Sequence, residues 1–562
     1  MKNIPIIIAL AFMCIPLYVS SQSIVTTKHN LSVSGTGTVK ATIESEVCIF
    51  CHTPHGSSPR APLWNKNAAG NTYTLYNSST LEAVPGQPDG SSILCLSCHD
   101  GTIALGKVTS RATEINMSGA MTTKGNLTTD LSNDHPISFT YNSSLVSSDG
   151  ELKPLPISTA ELDINSKVQC SSCHEPHNEI YPKFLRASNE FSALCFLCHD
   201  KTYWTQSSHS ISTKTWNGSG TNPWTHLEPA YPTVSQNGCA NCHDSHNANG
   251  KIRLLKYAIE ENNCLDCHNG NVASKNVQAE LVKTYNHDVY LYSGIHDPAE
   301  QTSVLNKHIE CQDCHNPHAS NNDSANAPFV NGFGKGVNGI NQDGNPVSPV
   351  TNAYEICYKC HAGNSWAPAP ALPRIINQNN VRLEFATSNP SFHPVVGARN
   401  RTDINGLIAP NASNTVLYCT SCHASNNASA PAGPHGSIYP QILKLQYDTA
   451  DNTNESAQAY ALCYSCHNRN NFVTSGPWWR SFREHREHVV SQNTPCSVCH
   501  DPHGISSSQG NSTSNSNLIN FRTDGGIVTP SSSGRLEFID TGDKRGRCYL
   551  TCHGENHNPL SY

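Results

Sequence analysis

The sequence is poor in the residues that ordinarily make a protein interior: over 562 positions, hydrophobic residues reach 37% and aromatic residues 7%. A chain of this length should need three or four conventional cores, and Leu and Phe are too scarce to fill them. Charge is also thin, at 14% with a formal net of -7, and neither a long single-sign run nor a basic patch interleaved with aromatics is present. Nucleic acid is therefore not an expected partner. Beyond the extreme N-terminus no apolar run approaches the length of a membrane span, so no transmembrane segment is expected. After Met1 and Met13 the sequence has only Met117 and Met121, which limits thioether ligation of a metal to two sites.

The N-terminus has an address. Lys2 precedes an apolar run from Ile4 to Val19 and then Ser20, Ser21 and Gln22, the order of charge, apolar stretch and small residues found in a secretory signal. We expect residues 1–21 to be that signal and the mature chain to be exported, to the outer cell surface or beyond, with the periplasm as the alternative. A lipid anchor on Cys14 competes, but bulky Met13 precedes it where such sites want a small residue.

What the chain has instead is 25 cysteines and 29 histidines. Apart from Cys14, every cysteine belongs to a pair followed at once by histidine. The pairs, each with its histidine, are Cys48, Cys51 and His52; Cys95, Cys98 and His99; Cys170, Cys173 and His174; and Cys195, Cys198 and His199. Next come Cys239, Cys242 and His243; Cys264, Cys267 and His268; Cys311, Cys314 and His315; and Cys357, Cys360 and His361. The series closes with Cys419, Cys422 and His423; Cys463, Cys466 and His467; Cys496, Cys499 and His500; and Cys548, Cys552 and His553.

CxxCH is the attachment signature of haem c. Two thiols on one turn reach the two vinyl groups of a porphyrin, and the next residue supplies an imidazole beneath the iron. A redox dithiol, half a zinc site or a disulfide framework would explain a single CxxC. None of them predicts histidine after the second cysteine throughout. The last site departs from the pattern, with three residues between Cys548 and Cys552, so twelve haems are expected and eleven are the fallback. Spread from Gln22 to Tyr562, twelve sites leave about 45 residues per haem. The porphyrins would then be the core, surrounded by short helices at the attachment sites and long irregular segments, and the chain without haem should not fold.

The chain is also repetitive. Six motifs are followed by a further histidine, at His55, His177, His246, His318, His503 and, later in its segment, His435, and six lack one. The two kinds alternate, giving six doubled units that begin at Cys48, Cys170, Cys239, Cys311, Cys419 and Cys496. A second set precedes the units: His29, His135, His226, His287, His393 and His485. These two sets equal the number of irons needing a second axial ligand, so bis-histidine coordination is expected throughout. A trailing histidine three residues past the proximal one cannot curl to the far face of its own porphyrin and should serve a neighbour. For the leading set the alternates are His209 to His226, His296 or His308 to His287, and His488 to His485; His557 has no evident role.

The stretch from KHNLSVSGTGTVKATIESEVCIFCHTPHG through SSILCLSCHDGTIALG, NDHPISFTY and VQCSSCHEPH to FLRASNEFSALCFLCHDK resembles the doubled-CxxCH multihaem cytochromes exported by metal-respiring bacteria. Residues 28–201 are most similar to the tetrahaem cytochromes that polymerise into extracellular haem wires, and the motif-level likeness covers most of the chain. The resemblance implies electron transfer along closely spaced haems, other multihaem cytochromes, metal oxides or electrodes as acceptors, and self-assembly into filaments in which a histidine from the next protomer completes a site. We divide the mature chain into tetrahaem blocks at 22–205, 206–365 and 366–562. An iron with two protein nitrogens has no vacant position, so no catalytic residue is expected. The rival is a reductase of nitrite, hydroxylamine or a sulfur oxyanion, with one open haem; a mainly structural fibre is a third reading.

Overall fold

The computed structural model describes residues 23–562 except 59–60, 62, 68–69, 158–159, 299, 301–306, 365, 400–405, 475–480 and 543. The expected signal segment and Cys14 lie outside the described residues. The chain packs as two compact units, one formed by residues up to 76 with 82–189 and 193–199, the other by 77–81, 190–192 and 200–562. The border expected at 205 lies near the division, and the one expected at 365 falls inside the second unit.

Regular structure is sparse, as the composition predicts. The longest helices, Gly90–His99 and Ala353–His361, both end on the histidine of a motif. The first buries Ile93 and Leu96 against Tyr73 and Leu131. The second starts at a capping box, in which the Glu355 carboxylate accepts from the Asn352 N–H at 2.9 Å, and packs Tyr354 and Tyr358 on Ile340, Phe385 and Val395. In most of the other motifs the attachment segment is a single turn. The histidine N–H donates to the first cysteine's carbonyl, as from His52 to Cys48 at 2.8 Å and from His423 to Cys419 at 3.0 Å. One turn thus holds both thiols and sets the imidazole. Apolar clusters are small and local, and among the described residues no helix is long and apolar enough to cross a membrane.

The last motif is neither a turn nor a helix. It lies in a four-stranded antiparallel sheet made by β1 (Val528–Thr529), β2 (Glu537–Gly542), β3 (Arg545–Cys552) and β4 (Glu555–Ser561). Strand β3 pairs with the other three, and its register sets Phe538 opposite Cys548, Val528 opposite Cys552 and His557 opposite Leu550. Strand alternation explains the extra residue between the cysteines: a spacing of four puts both thiols on the same face, whereas a spacing of three would put them on opposite faces.

Candidate haem sites

Each motif histidine was expected to face a second imidazole across an iron. Two bonds of about 2 Å from nitrogen to a first-row metal, plus roughly 1 Å from each nitrogen to its ring centre, put the ring centres about 6 Å apart. Nine motif histidines meet this test. In the first unit His52 faces His177 at 6.2 Å, His99 faces His29 at 6.3 Å and His199 faces His135 at 6.3 Å. In the second, His243 faces His318, His268 faces His209, His315 faces His435 and His361 faces His287, at 6.1–6.4 Å. His423 and His503, and His500 and His485, stand at 6.1 Å. His393 and His467 are near enough for the second to depress the pKa of the first, after burial and Arg399. The residues present therefore fit a porphyrin iron between two imidazoles.

Four trailing histidines lie against a neighbouring doubled unit: His177, His318, His435 and His503 each face the first motif of the preceding one. Leading histidines are oriented by the same segments. His29 Nδ1 donates to the Pro176 carbonyl at 3.1 Å and His209 Nδ1 to Pro317 at 2.8 Å. His287 bonds the Pro434 carbonyl and His393 that of Pro502. Each proline immediately precedes a trailing histidine, so one short turn presents one imidazole and orients another. Donation from Nδ1 leaves Nε2 as the lone-pair nitrogen.

Several expectations change. His209, not His226, faces His268; His226 instead directs Nε2 to the Ala240 carbonyl at 3.1 Å. His287 is retained over His296 and His308, which face each other at 6.4 Å. His55 is exposed, and among the described residues no ring contact joins it to a motif histidine. At the last motif His553 has a left-handed backbone, φ 49°, and its Nε2 lies 3.0 Å from an Asp451 carboxylate oxygen. His557, opposite Leu550 in the register, shares the face of Cys548 and Cys552. It faces His488 at 6.4 Å and its Nδ1 is hydrogen-bonded to the Tyr562 hydroxyl at 2.6 Å. The sequence signal for this local difference was the spacing itself, which departs from CxxCH only here.

Sequence reasoning also missed how the proximal rings are steadied. His174 Nδ1 donates to the Lys183 carbonyl at 2.9 Å, His243 to Arg253 at 2.8 Å, His423 to Gln441 at 2.7 Å and His500 to Asn517 at 2.9 Å. All four acceptor residues have φ between 54° and 63°, as do their successors Phe184, Leu254, Ile442 and Leu518 at 52° to 64°. Two consecutive left-handed residues turn the carbonyl toward the ring, a conformation costly for non-glycine side chains. The signal was a weak repeat after the doubled motifs: KFLR, RLLK, QILK and NLIN.

Burial favours the neutral, ligating form of several of these imidazoles. It lowers His268 to about 4, with His209 contributing, and lowers His423 and His435 to about 4 as well. His503 is the exception. Burial alone would lower it, but the Glu384 carboxylate, 2.9 Å from Nδ1, outweighs burial and raises its pKa.

The thiols link the sites into series. All 24 described cysteines are free of disulfides. Within doubled units the second cysteines interact electrostatically: Cys51 with Cys98, Cys173 with Cys198, Cys242 with Cys267 and Cys422 with Cys466. Cys314 is likewise near Cys357 and Cys360, and Cys499 near Cys548 and Cys552. Between units the first cysteines lie close enough to shift one another's ionisation: Cys95 with Cys170, Cys264 with Cys311, Cys357 with Cys419 and Cys463 with Cys496. A thioether sulfur is two bonds from the macrocycle, so haems attached at neighbouring thiols would have their edges close.

A family model described as the doubled CXXCH motif matches residues 164–203 and 409–472. No curated protein matches the chain. The match and the motifs support a multihaem c-type cytochrome that binds haem c covalently.

Proposed function

We propose that the chain is an electron conduit carrying twelve haems, each held by two histidines, in transfer at the cell envelope or outside the cell. Each bound haem supplies one-electron exchange between Fe(III) and Fe(II), with no axial position left for a substrate. The observation that carries the reading is the recurrence of facing imidazoles at 6.1–6.4 Å, with motif thiols that lie close to one another from one doubled unit to the next.

The chain's residues do three things in this reading. Cysteines fix each porphyrin by its edge; backbone carbonyls at Pro176, Pro317, Lys183 and Gln441 hold the imidazoles in one tautomer; and small apolar clusters such as Phe50, Val108 and Ile115 keep water from the attachment turns. We assign the distal places to His29, His135, His177, His209, His287, His318, His393, His435, His485 and His503. His246 follows its motif histidine by three residues, as His177, His318 and His503 follow theirs. For the last site we assign Cys548, Cys552, His557 and His488, with His553 outside the coordination. Partner cytochromes, metal oxides or electrodes are the proposed acceptors, and filament assembly follows from the resemblance alone.

Mass spectrometry and electron paramagnetic resonance of the oxidised, purified protein test the reading together. The expected result is the mass of twelve haems per chain and purely low-spin signals unmoved by cyanide or nitrite. A high-spin signal that responds to either would favour the reductase reading.

A further inference from the structure

His296 and His308 were the sequence alternates to His287, yet it is His287 that faces a motif histidine, His361. They lie instead with Glu310 and Asp313, and one ligand atom from each of the four falls within 4.8 Å of all the others. His296, Glu310 and Asp313 are buried, at 8%, 7% and 5% exposure. His296 Nδ1 has no hydrogen-bond partner, although it stands 3.5 Å from a Glu310 oxygen and 3.6 Å from an Asp313 oxygen. Those separations are long for hydrogen bonds of a ring nitrogen. They are close to the edge of a tetrahedron of nitrogen and oxygen ligands about 2 Å from a central zinc-like ion, roughly 3.3 Å.

Charge points the same way. Two buried carboxylates converge here, with Glu300 3.0 Å from His308 Nε2 as a third. Lys359 forms an ion pair with Asp313. One ammonium balances one carboxylate, and the remaining acidic charge is costly in a buried site without a further cation. The Glu300 carboxylate beside His308 is the kind of outer partner that orients a ligating imidazole.

We propose that His296, His308, Glu310 and Asp313 bind one divalent transition-metal ion of the zinc class, separate from any haem iron. Two imidazoles and two carboxylates form a donor set of intermediate softness, suited to Zn²⁺ and poorly suited to Mg²⁺ or Ca²⁺. Asp313 lies between Cys311 and Cys314, and its partner Lys359 between Cys357 and Cys360. The ion therefore sits against two consecutive attachment turns and braces them, adding positive charge beside both.

The test uses the haem-loaded full chain, stripped with a chelator and titrated with Zn²⁺ alone. One Zn²⁺ per chain is expected to bind, with X-ray absorption at the zinc edge showing two imidazole nitrogens and two carboxylate oxygens. His296→Ala and Glu310→Gln should each weaken binding by at least about 100-fold with haem content and the visible spectrum retained. The proposal is overturned if the stripped protein takes up no Zn²⁺, if the absorption spectrum shows sulfur or no imidazole in the first shell, or if both variants bind as the parent does.

Discussion

At the residue scale the second nitrogen of each ligating ring matters most, because its partner sets how strongly the first donates to iron. Most rings here donate Nδ1 to a neutral carbonyl, but His503 meets the Glu384 carboxylate at 2.9 Å. Replacing Glu384 with Gln should raise the potential of one haem, seen as a displaced component in a spectroelectrochemical titration. The last site allows a sharper comparison. His557→Ala should convert one haem to a high-spin or ligand-exchangeable state by electron paramagnetic resonance, while His553→Ala, which removes only the contact to Asp451, should leave the signals unchanged. Glu261 supplies a pH dependence. It is 1% exposed, both carboxylate oxygens lack hydrogen-bond partners, and burial raises its pKa from 4.5 to about 7. A raised carboxyl pKa means stability that is intact below the unfolded value and lost as pH rises through the folded one. Glu261→Gln should therefore match the parent near pH 4 and exceed it by about 1–2 kcal/mol above pH 7, measured by denaturant unfolding.

At the scale of elements the recurring piece is a single turn whose conformation is imposed by the cofactor-binding residues it serves. The loops through Lys183, Arg253, Gln441 and Asn517 hold two left-handed residues each so that one carbonyl meets a proximal ring. Glycine adopts that backbone freely, whereas proline is locked near φ -65°. Gln441→Gly should leave the thermal midpoint within a few degrees and the Soret band unaltered. Gln441→Pro should turn the carbonyl away from His423 and lower the midpoint by clearly more. Equal effects of the two variants would show that the left-handed carbonyl has no bearing on the site.

For the whole molecule, small clusters such as Trp224, Val234 and Val272, or Leu265, Leu281 and Val289, are too modest to stabilise so long a chain by apolar burial alone. Expression without haem attachment should yield a protein lacking cooperative unfolding, with a circular dichroism spectrum close to that of an unordered chain. The haem-bound protein should melt as a cooperative structure.

The sequence alone determined the attachment chemistry, because thiol spacing on one turn and the adjacent imidazole are local requirements that local residues meet. It also determined the doubled repeat and the scarcity of regular elements, which follow from composition and from the interval between sites. The tertiary structure decided which distant histidine meets which ring: His209 rather than His226 faces His268, His287 rather than His296 or His308 faces His361, and His488 faces His557. Those choices depend on how segments many residues apart are brought together, by a proline carbonyl, a strand register or a buried carboxylate, and no spacing along the chain encodes them.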